Sequence, residues 1–367
     1  MERVIERFIE YAKIDSETLN EYDFKERLKK DLEDLGLEVY EDKAGEVVGS
    51  NSGNLIAKLK GTGDKTILFS AHMDTVSPGK GIEPYIDEDN ILRSKGDTIL
   101  ASDDKAGVSA IMEMLTVLKE ENIPHHNIEI AFNIAEEGGL RGSKNLDYSK
   151  INADFGIVVD SGGAPGHTIV QGPAQTKINV KFKGRSAHAG VAPEDGVSAI
   201  VVAAQAISKM KLLRIDEETT ANIGYINGGG PTNIVTDTVE IHAEARSLND
   251  EKLQAQVDHM VKCVEEAQAE YGIEAEIEVL EAYKPFKVEL DSLPAQTVKA
   301  ACDRLGFEFS PAKSGGGSDT NNYNLHNIPS VNLGIGMTKA HSVDEFCKVE
   351  DIVNGAKLLI EIARADV

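Results

Sequence analysis

One feature of the sequence limits its fold more than any other: apolar runs that end at histidine or acidic residues. The first run, Thr66 to Phe69, is typical of a buried strand and leads into the segment SAHMDTV. Side chains two positions apart leave a strand on the same face, and the carboxyl end of a parallel strand opens into a crevice. His72 and Asp74 are therefore predicted to point together into a cleft. Taken alone, this pair is more often a buried histidine held by a carboxylate than a metal site.

Further histidine and acidic residues follow apolar runs of the same kind, which turns the pair into a candidate metal site. We expect five metal ligands at strand ends: His72, Asp103, Glu137, Asp160 and His341. Imidazole and carboxylate groups suit zinc, cobalt or manganese when no cysteine is offered. Five side chains exceed the three that usually hold one catalytic zinc, but they can serve two ions if one carboxylate bridges. The sequence thus predicts two divalent ions, zinc first, with cobalt or manganese as alternatives.

The adjacent carboxylates Glu136 and Glu137 follow the apolar run Ile128 to Ala135. Neighbouring carboxylates at the rim of an apolar sheet repel each other unless they are compensated. Strand alternation would send them to different sides, so we assign Glu137 to a metal and Glu136 to the general base. The alternative is a solvated loop start. Asp74 is expected to hold the second ring nitrogen of His72 and fix its tautomer.

Strand-like and helical segments alternate along the first part of the chain, which predicts an α/β sandwich around a mixed, largely parallel sheet. The pattern changes after Gly172 and becomes the β-α-β-β-α-β order of a ferredoxin-like α+β module. After Pro285 the α/β pattern returns. We therefore predict a discontinuous α/β/α catalytic domain, residues 1–173 and 285–367, with an inserted domain at residues 174–284.

Composition excludes several classes of partner. The 62 acidic and 38 basic residues give a formal charge of -24, which repels nucleic acid and anionic membranes. The N-terminus is expected to be a charged amphipathic helix rather than a signal peptide. The three cysteines are odd in number and far apart, which favours a reducing compartment over a disulfide framework. These features predict a cytoplasmic protein whose cysteines are small buried hydrophobic residues.

Five motifs, in order along the chain, resemble the metal-site blocks of the dinuclear zinc exopeptidase family, which includes peptidase T, glutamate carboxypeptidase and aminoacylase. They are SAHMDTV, ASDDKAG, AEEGG, VVDSG and AHSVDE. The resemblance implies that Asp103 bridges two ions, with His72 and Asp160 on one ion. It places Glu137 and His341 on the other ion. It also implies Glu136 as base, and a cis peptide bond after Asp103.

The inserted module resembles the lid of that family, which commonly also forms a dimer. GRSAHAG resembles the lid segment whose histidine, here His188, reaches the scissile carbonyl oxygen. Without the resemblance, a turn histidine would be the preferred interpretation. GGGPTNIV resembles a substrate-contacting turn with Asn233, and Arg246 falls where the family has a substrate-binding arginine. SGGGSDTN, which includes Gly316, resembles a stretch that lines the substrate pocket and lacks the features of a phosphate loop.

Among the members of the family, the chain most resembles the peptidase T-like ones. The resemblance implies removal of the N-terminal residue from short peptides by a metal-activated water. A carboxypeptidase or an N-acyl amino acid amidohydrolase on the same dinuclear site is the alternative. A catalytically silent binding protein is disfavoured because no predicted ligand or base is missing.

Overall fold

The computed structural model describes residues 2–365, and their contacts divide the chain into two compact units. The first comprises residues up to Gln171, Phe286–Ser314 and the chain from Ser318 onward. The second comprises Gly172–Pro285 and Gly315–Gly317. Elements are numbered along the chain.

Within the described residues, the first unit contains eight α-helices and twelve strands, and the strands form a nine-stranded and a three-stranded sheet. Its helices are α1 Glu2–Ala12, α2 Tyr22–Asp34, α3 Ala44–Val48, α4 Ser102–Glu120, α5 Arg141–Lys144, α8 Leu293–Leu305, α9 Asp319–Leu325 and α10 Val349–Ala363. Its strands are β1 Glu38–Glu41, β2 Leu55–Leu59, β3 Thr66–His72, β4 Pro84–Ile86, β5 Ile91–Ser94, β6 Asn127–Asn133, β7 Phe155–Gly162, β8 His167–Gly172, β14 Phe286–Lys287, β15 Ser310–Lys313, β16 Ser330–Met337 and β17 Phe346–Lys348.

A mixed sheet runs in the order β1-β2-β6-β3-β7-β16-β8-β14, with β15 paired to β8. The four central strands β6, β3, β7 and β16 are parallel. Alternate residues of β3 enter two cores: Ile67 and Phe69 belong to the larger cluster, which includes residues of α1, α4 and α10. Leu68 belongs to the smaller cluster with Val158 and Tyr323. Apolar packing on both faces is what a parallel sheet requires.

The second unit is an antiparallel sheet with two helices. Its elements are β9 Ala174–Lys183, α6 Ala199–Lys209, β10 Leu213–Arg214, β11 Thr219–Gly228, β12 Thr238–Ser247, α7 Asp250–Tyr271 and β13 Glu274–Tyr283. The strand order is β10-β11-β12-β9-β13. Its core packs apolar residues of β9 and β12, such as Phe182 and Ile241, against Val202 of α6 and Met260 of α7. Apart from the short β10, this is the ferredoxin-like order.

The predicted fold class is therefore confirmed, including the antiparallel module between the α/β segments. The predicted hairpin in residues 84–93 and the helix that stops at Gly306 are also present. One prediction about position is wrong: Asp103 follows no strand but lies in the first turn of α4. Within residues 2–365 no helix combines the length and the apolar character needed to cross a membrane.

Candidate metal centre

Three of the five predicted ligands lie at one edge of the large sheet because the central strands are parallel. His72 is the last residue of β3 and pairs with Asn133, the last residue of β6. Asp160 follows the buried run of β7. Glu137 lies in the turn beyond β6. The carboxyl ends of parallel strands share an edge, so their terminal side chains converge.

Asp103 reaches the same edge from the irregular first turn of α4, and His341 reaches it from a loop. Asp103 has φ −86° and ψ 101°, which is not helical, although it lies in the first turn of α4. The peptide bond from Asp103 to Asp104 is cis, as the family resemblance implies. α4 approaches β7 closely at Gly107, where a Cβ atom would lie 2.1 Å from the carbonyl oxygen of Val159. His341 lies in the loop between β16 and β17.

The two carboxylate oxygens of Asp103 face different histidines. Its Oδ1 lies 2.9 Å from Nε2 of His72, and its Oδ2 lies 3.1 Å from Nε2 of His341. Oδ1 of Asp160 lies 3.8 Å from the same His72 nitrogen. Oε1 of Glu137 lies 2.9 Å from the His341 nitrogen. The five predicted ligands are therefore brought together, with Asp103 in the middle.

The donor set fits divalent cations. A single ring nitrogen of His341 faces two carboxylate oxygens, which one N–H cannot satisfy equally. Within the described residues, Oδ1 of Asp104 is buried without a hydrogen bond, which is costly for a carboxylate unless a cation compensates it. His72 is 1% exposed at its side chain whereas His341 is 55% exposed, so solvent reaches the cluster from the His341 side.

The raised pKa values of the buried carboxylates also favour a bound cation at this cluster. Burial, together with the charge of Asp160, raises the pKa of Glu136 well above its usual value. Burial likewise raises the pKa of Asp160, and nearby carboxylates add to the effect. A bound divalent cation would be the largest local charge and would reverse these trends. The residues therefore form a buried acidic cluster whose negative charge divalent cations would offset.

Asp74 lies beside the second ring nitrogen of His72 and also holds the turn that carries Glu136 and Glu137. Nδ1 of His72 lies 2.9 Å from the backbone carbonyl oxygen of Asp74 and 3.5 Å from its carboxylate. The carboxylate accepts hydrogen bonds from the backbone amides of Glu136 and Glu137, at 2.9 and 3.2 Å, and from the Thr18 hydroxyl. Asp74 thus fixes the His72 ring through its backbone and the Glu136–Glu137 turn through its side chain.

Glu136 and Glu137 leave a turn rather than a strand, since β6 ends at Asn133. Strand alternation therefore does not explain their different environments. Glu136 is 8% exposed. The amide of Ala135, just before the pair, donates to the buried carboxylate of Glu21, so three consecutive amides bind two buried carboxylates. Hydrogen bonds to two buried carboxylates therefore hold this turn in place.

Sequence reasoning missed three buried acidic residues around the centre. Asp104 accepts a hydrogen bond from the His72 amide and lies close enough to His72 and Asp160 to form a second group of potential ligands. Asp319 accepts hydrogen bonds from Ser143 and Asn133. Glu345 binds the segment that ends at Asp103. The sequence offered one indication of these residues, which is their position inside the motifs ASDDKAG, SGGGSDTN and AHSVDE.

The predicted substrate residues lie in the second unit. His188 is exposed and forms a bridge with Ile234, next to Asn233, whose carbonyl oxygen accepts a hydrogen bond from Ala189. The unit therefore brings His188 and Asn233 together. Arg246, on β12, donates twice to Glu244. Gly316 is half-buried in the short segment Gly315–Gly317.

A parallel sheet that gathers histidine and carboxylate donors at one edge beside a buried glutamate is the arrangement of a metal-dependent hydrolase. Residues 68–365 match the model of peptidase family M20/M25/M40. The chain belongs to this peptidase family.

Two solved structures and one further relative are similar to this chain over nearly its whole length. A Bacillus cereus structure described as aminopeptidase PepT is 46% identical, covers 99% of this chain and 97% of its own, and has a TM-score of 0.88. A Staphylococcus aureus structure described as a tripeptidase is 40% identical over the same shares of both chains, with a TM-score of 0.94. The peptidase T of Salmonella arizonae is 26% identical and covers 99% of this chain and 98% of its own.

Proposed function

We propose that the protein is a cytoplasmic aminopeptidase that removes the N-terminal residue from short peptides, tripeptides above all, with two divalent ions, Zn²⁺ by preference. The Bacillus cereus aminopeptidase and the Staphylococcus aureus tripeptidase, each similar over nearly the whole chain, support this substrate class. The three buried cysteines are compatible with a reducing compartment.

The observation that carries the proposal is the position of Asp103 between two histidines. In this proposal His72 and Asp160 would hold one ion together with Asp103. Glu137 and His341 would hold the other, with the Asp103 carboxylate shared between the two positions. When bound, such a pair of ions acidifies a water molecule and polarises the peptide carbonyl group.

Glu136 is the proposed general base and acid. Its carboxylate takes a proton from the attacking water and delivers it to the nitrogen of the leaving peptide. Its burial keeps the transfer away from bulk water. Asp74 keeps the carboxylate in place because it binds the Glu136 amide.

The second unit is proposed to act as the lid and as the surface of a homodimer. His188 would donate a hydrogen bond to the carbonyl oxygen of the scissile bond as negative charge develops there. Asn233, Arg246 and Gly316 would contact the substrate. Closure of such a lid excludes water and long polypeptides.

A panel of tripeptides with free, acetylated and amidated ends tests the substrate class. We expect cleavage of the first peptide bond, loss of cleavage on N-acetylation, and little effect of C-terminal amidation. Cleavage that tolerates acetylation but is lost on amidation would indicate a carboxypeptidase. Activity only on acylated amino acids would indicate an amidohydrolase.

A further inference from the structure

We infer that Glu345 is a positioning residue that holds Asp103 against His341 and thereby sets the affinity of one of the two metal positions. The inference rests on the proposed two-ion site and adds a residue to it. Glu345 is 2% exposed and has no place among the proposed ligands or bases.

The carboxylate of Glu345 accepts four hydrogen bonds from one short segment. Oε2 accepts from the amides of Leu100 and Ala101, at 2.8 and 2.9 Å. Oε1 accepts from the Ser102 hydroxyl at 2.5 Å and from the Asp103 amide at 3.1 Å. An ionised carboxylate offers about four acceptor sites, so this segment uses essentially all of them.

The segment needs such an acceptor because its backbone is irregular. Ala101 has a φ of 62°, in the left-handed region, and Asp103 has non-helical angles inside the first turn of α4. The amides of such a turn have no partner within the helix. Glu345 supplies the partner and so determines where the Asp103 carboxylate lies.

The same side chain also belongs to the loop that carries His341. Backbone hydrogen bonds of 3.0 Å in both directions between Thr338 and Phe346 close this loop, and the Glu345 amide donates to the Ser342 carbonyl oxygen, also at 3.0 Å. Glu345 therefore joins the loop of His341 to the segment of Asp103.

The connection is unequal for the two proposed metal positions. His72 and Asp160 are held on β3 and β7, whose place is fixed by parallel pairing and apolar packing. His341 depends on its loop, and Glu137 on a turn. Loss of the Glu345 carboxylate should therefore disturb the position between Glu137 and His341 more than the position between His72 and Asp160.

Glu345→Gln is the variant that tests this inference, because glutamine keeps the size but replaces one acceptor oxygen with a donor that faces other donors. Metal-free wild-type and variant proteins are titrated with Co²⁺, and binding is followed by calorimetry and by visible absorption. We expect the wild type to bind two ions. The variant should bind the first ion within about threefold of the wild type and the second roughly 10- to 100-fold more weakly.

Two further variants sharpen the test. Ser102→Ala removes a single hydrogen bond to Glu345 and should weaken the second ion in the same direction by a smaller factor. It also keeps the inference testable if Glu345→Gln does not fold, as judged from circular dichroism of the metal-free protein. Asp344→Asn is the control. The Asp344 side chain belongs to the same loop but is 74% exposed, so this variant should leave both affinities unchanged.

The outcomes separate this inference from the proposed function. Uptake of two ions by the wild type, with unchanged affinities in both Glu345→Gln and Ser102→Ala, contradicts the inference alone. Equal weakening of both ions in these variants also contradicts it, since Glu345 would then support the fold generally. A wild-type protein that takes up no ion contradicts the two-ion site and the inference together.

Discussion

Asp103 and His341 are 238 positions apart in sequence, yet Oδ2 of Asp103 lies 3.1 Å from Nε2 of His341. The other oxygen of the same carboxylate faces His72. A carboxylate with each oxygen directed at a different imidazole is suited to bridge two cations. The chemistry proposed for this protein depends on that relationship.

Glu136→Gln should reduce kcat by about 10³-fold or more, because an amide cannot accept the proton of the attacking water. Metal content should stay at the wild-type level, since Glu136 is not among the proposed ligands. Steady-state kinetics on a tripeptide and elemental analysis of the same sample check both expectations. Glu88→Gln, an exposed glutamate in the hairpin turn, is the control and should be fully active. A Glu136→Gln enzyme with near-normal kcat would remove Glu136 from the role of base.

Asp103→Ala should lose metal from both positions, because the Asp103 carboxylate is the one proposed ligand that the two positions have in common. Asp160→Ala should lose only the ion beside His72. Metal content after dialysis against a weak chelator distinguishes the two variants, with Asp89→Ala in the exposed hairpin turn as control. Retention of two ions by Asp103→Ala would rule out the bridging role.

The three cysteines should be unreactive in the native protein. Cys263, Cys302 and Cys347 are buried, and burial raises the pKa of Cys302 to about 11. A raised pKa means a smaller thiolate fraction at pH 8, and the thiolate is the reactive form. Ellman's reagent should therefore find almost no thiol within minutes in the native state and three thiols in guanidinium chloride. Rapid reaction of the native protein would contradict the buried role of these cysteines.

Much of the fold follows from local sequence signals. The apolar runs that became β3, β6 and β7 and the alternating strands of the second unit are strong periodic patterns. α9 was missed because it begins inside a glycine-rich stretch, where Ser318 and Asn321 form a capping box that lacks the usual glutamate or glutamine. The position of α9 is determined by packing onto the sheet, through residues such as Tyr323, rather than by helix propensity.

The clustering of the candidate ligands could be predicted, and so could the placement of Asp74 beside His72, but the other contacts that support these residues could not. His72 and Asp160 were predicted as ligands because each is a histidine or carboxylate that follows an apolar run. By contrast, Asp74 binds the amides of the Glu136–Glu137 turn, and Glu345 binds the Asp103 segment across 242 positions of sequence. Such contacts depend on tertiary structure, and a single sequence carries no local signal for them.

The most direct test of the two-ion centre is elemental analysis of the freshly purified, active enzyme, combined with removal and return of the metal. We expect about two transition-metal ions per chain, loss of tripeptide cleavage after treatment with a strong chelator, and recovery when Zn²⁺ or Co²⁺ is restored. Full activity in a sample that contains no transition metal, or in the continued presence of the chelator, would contradict the account.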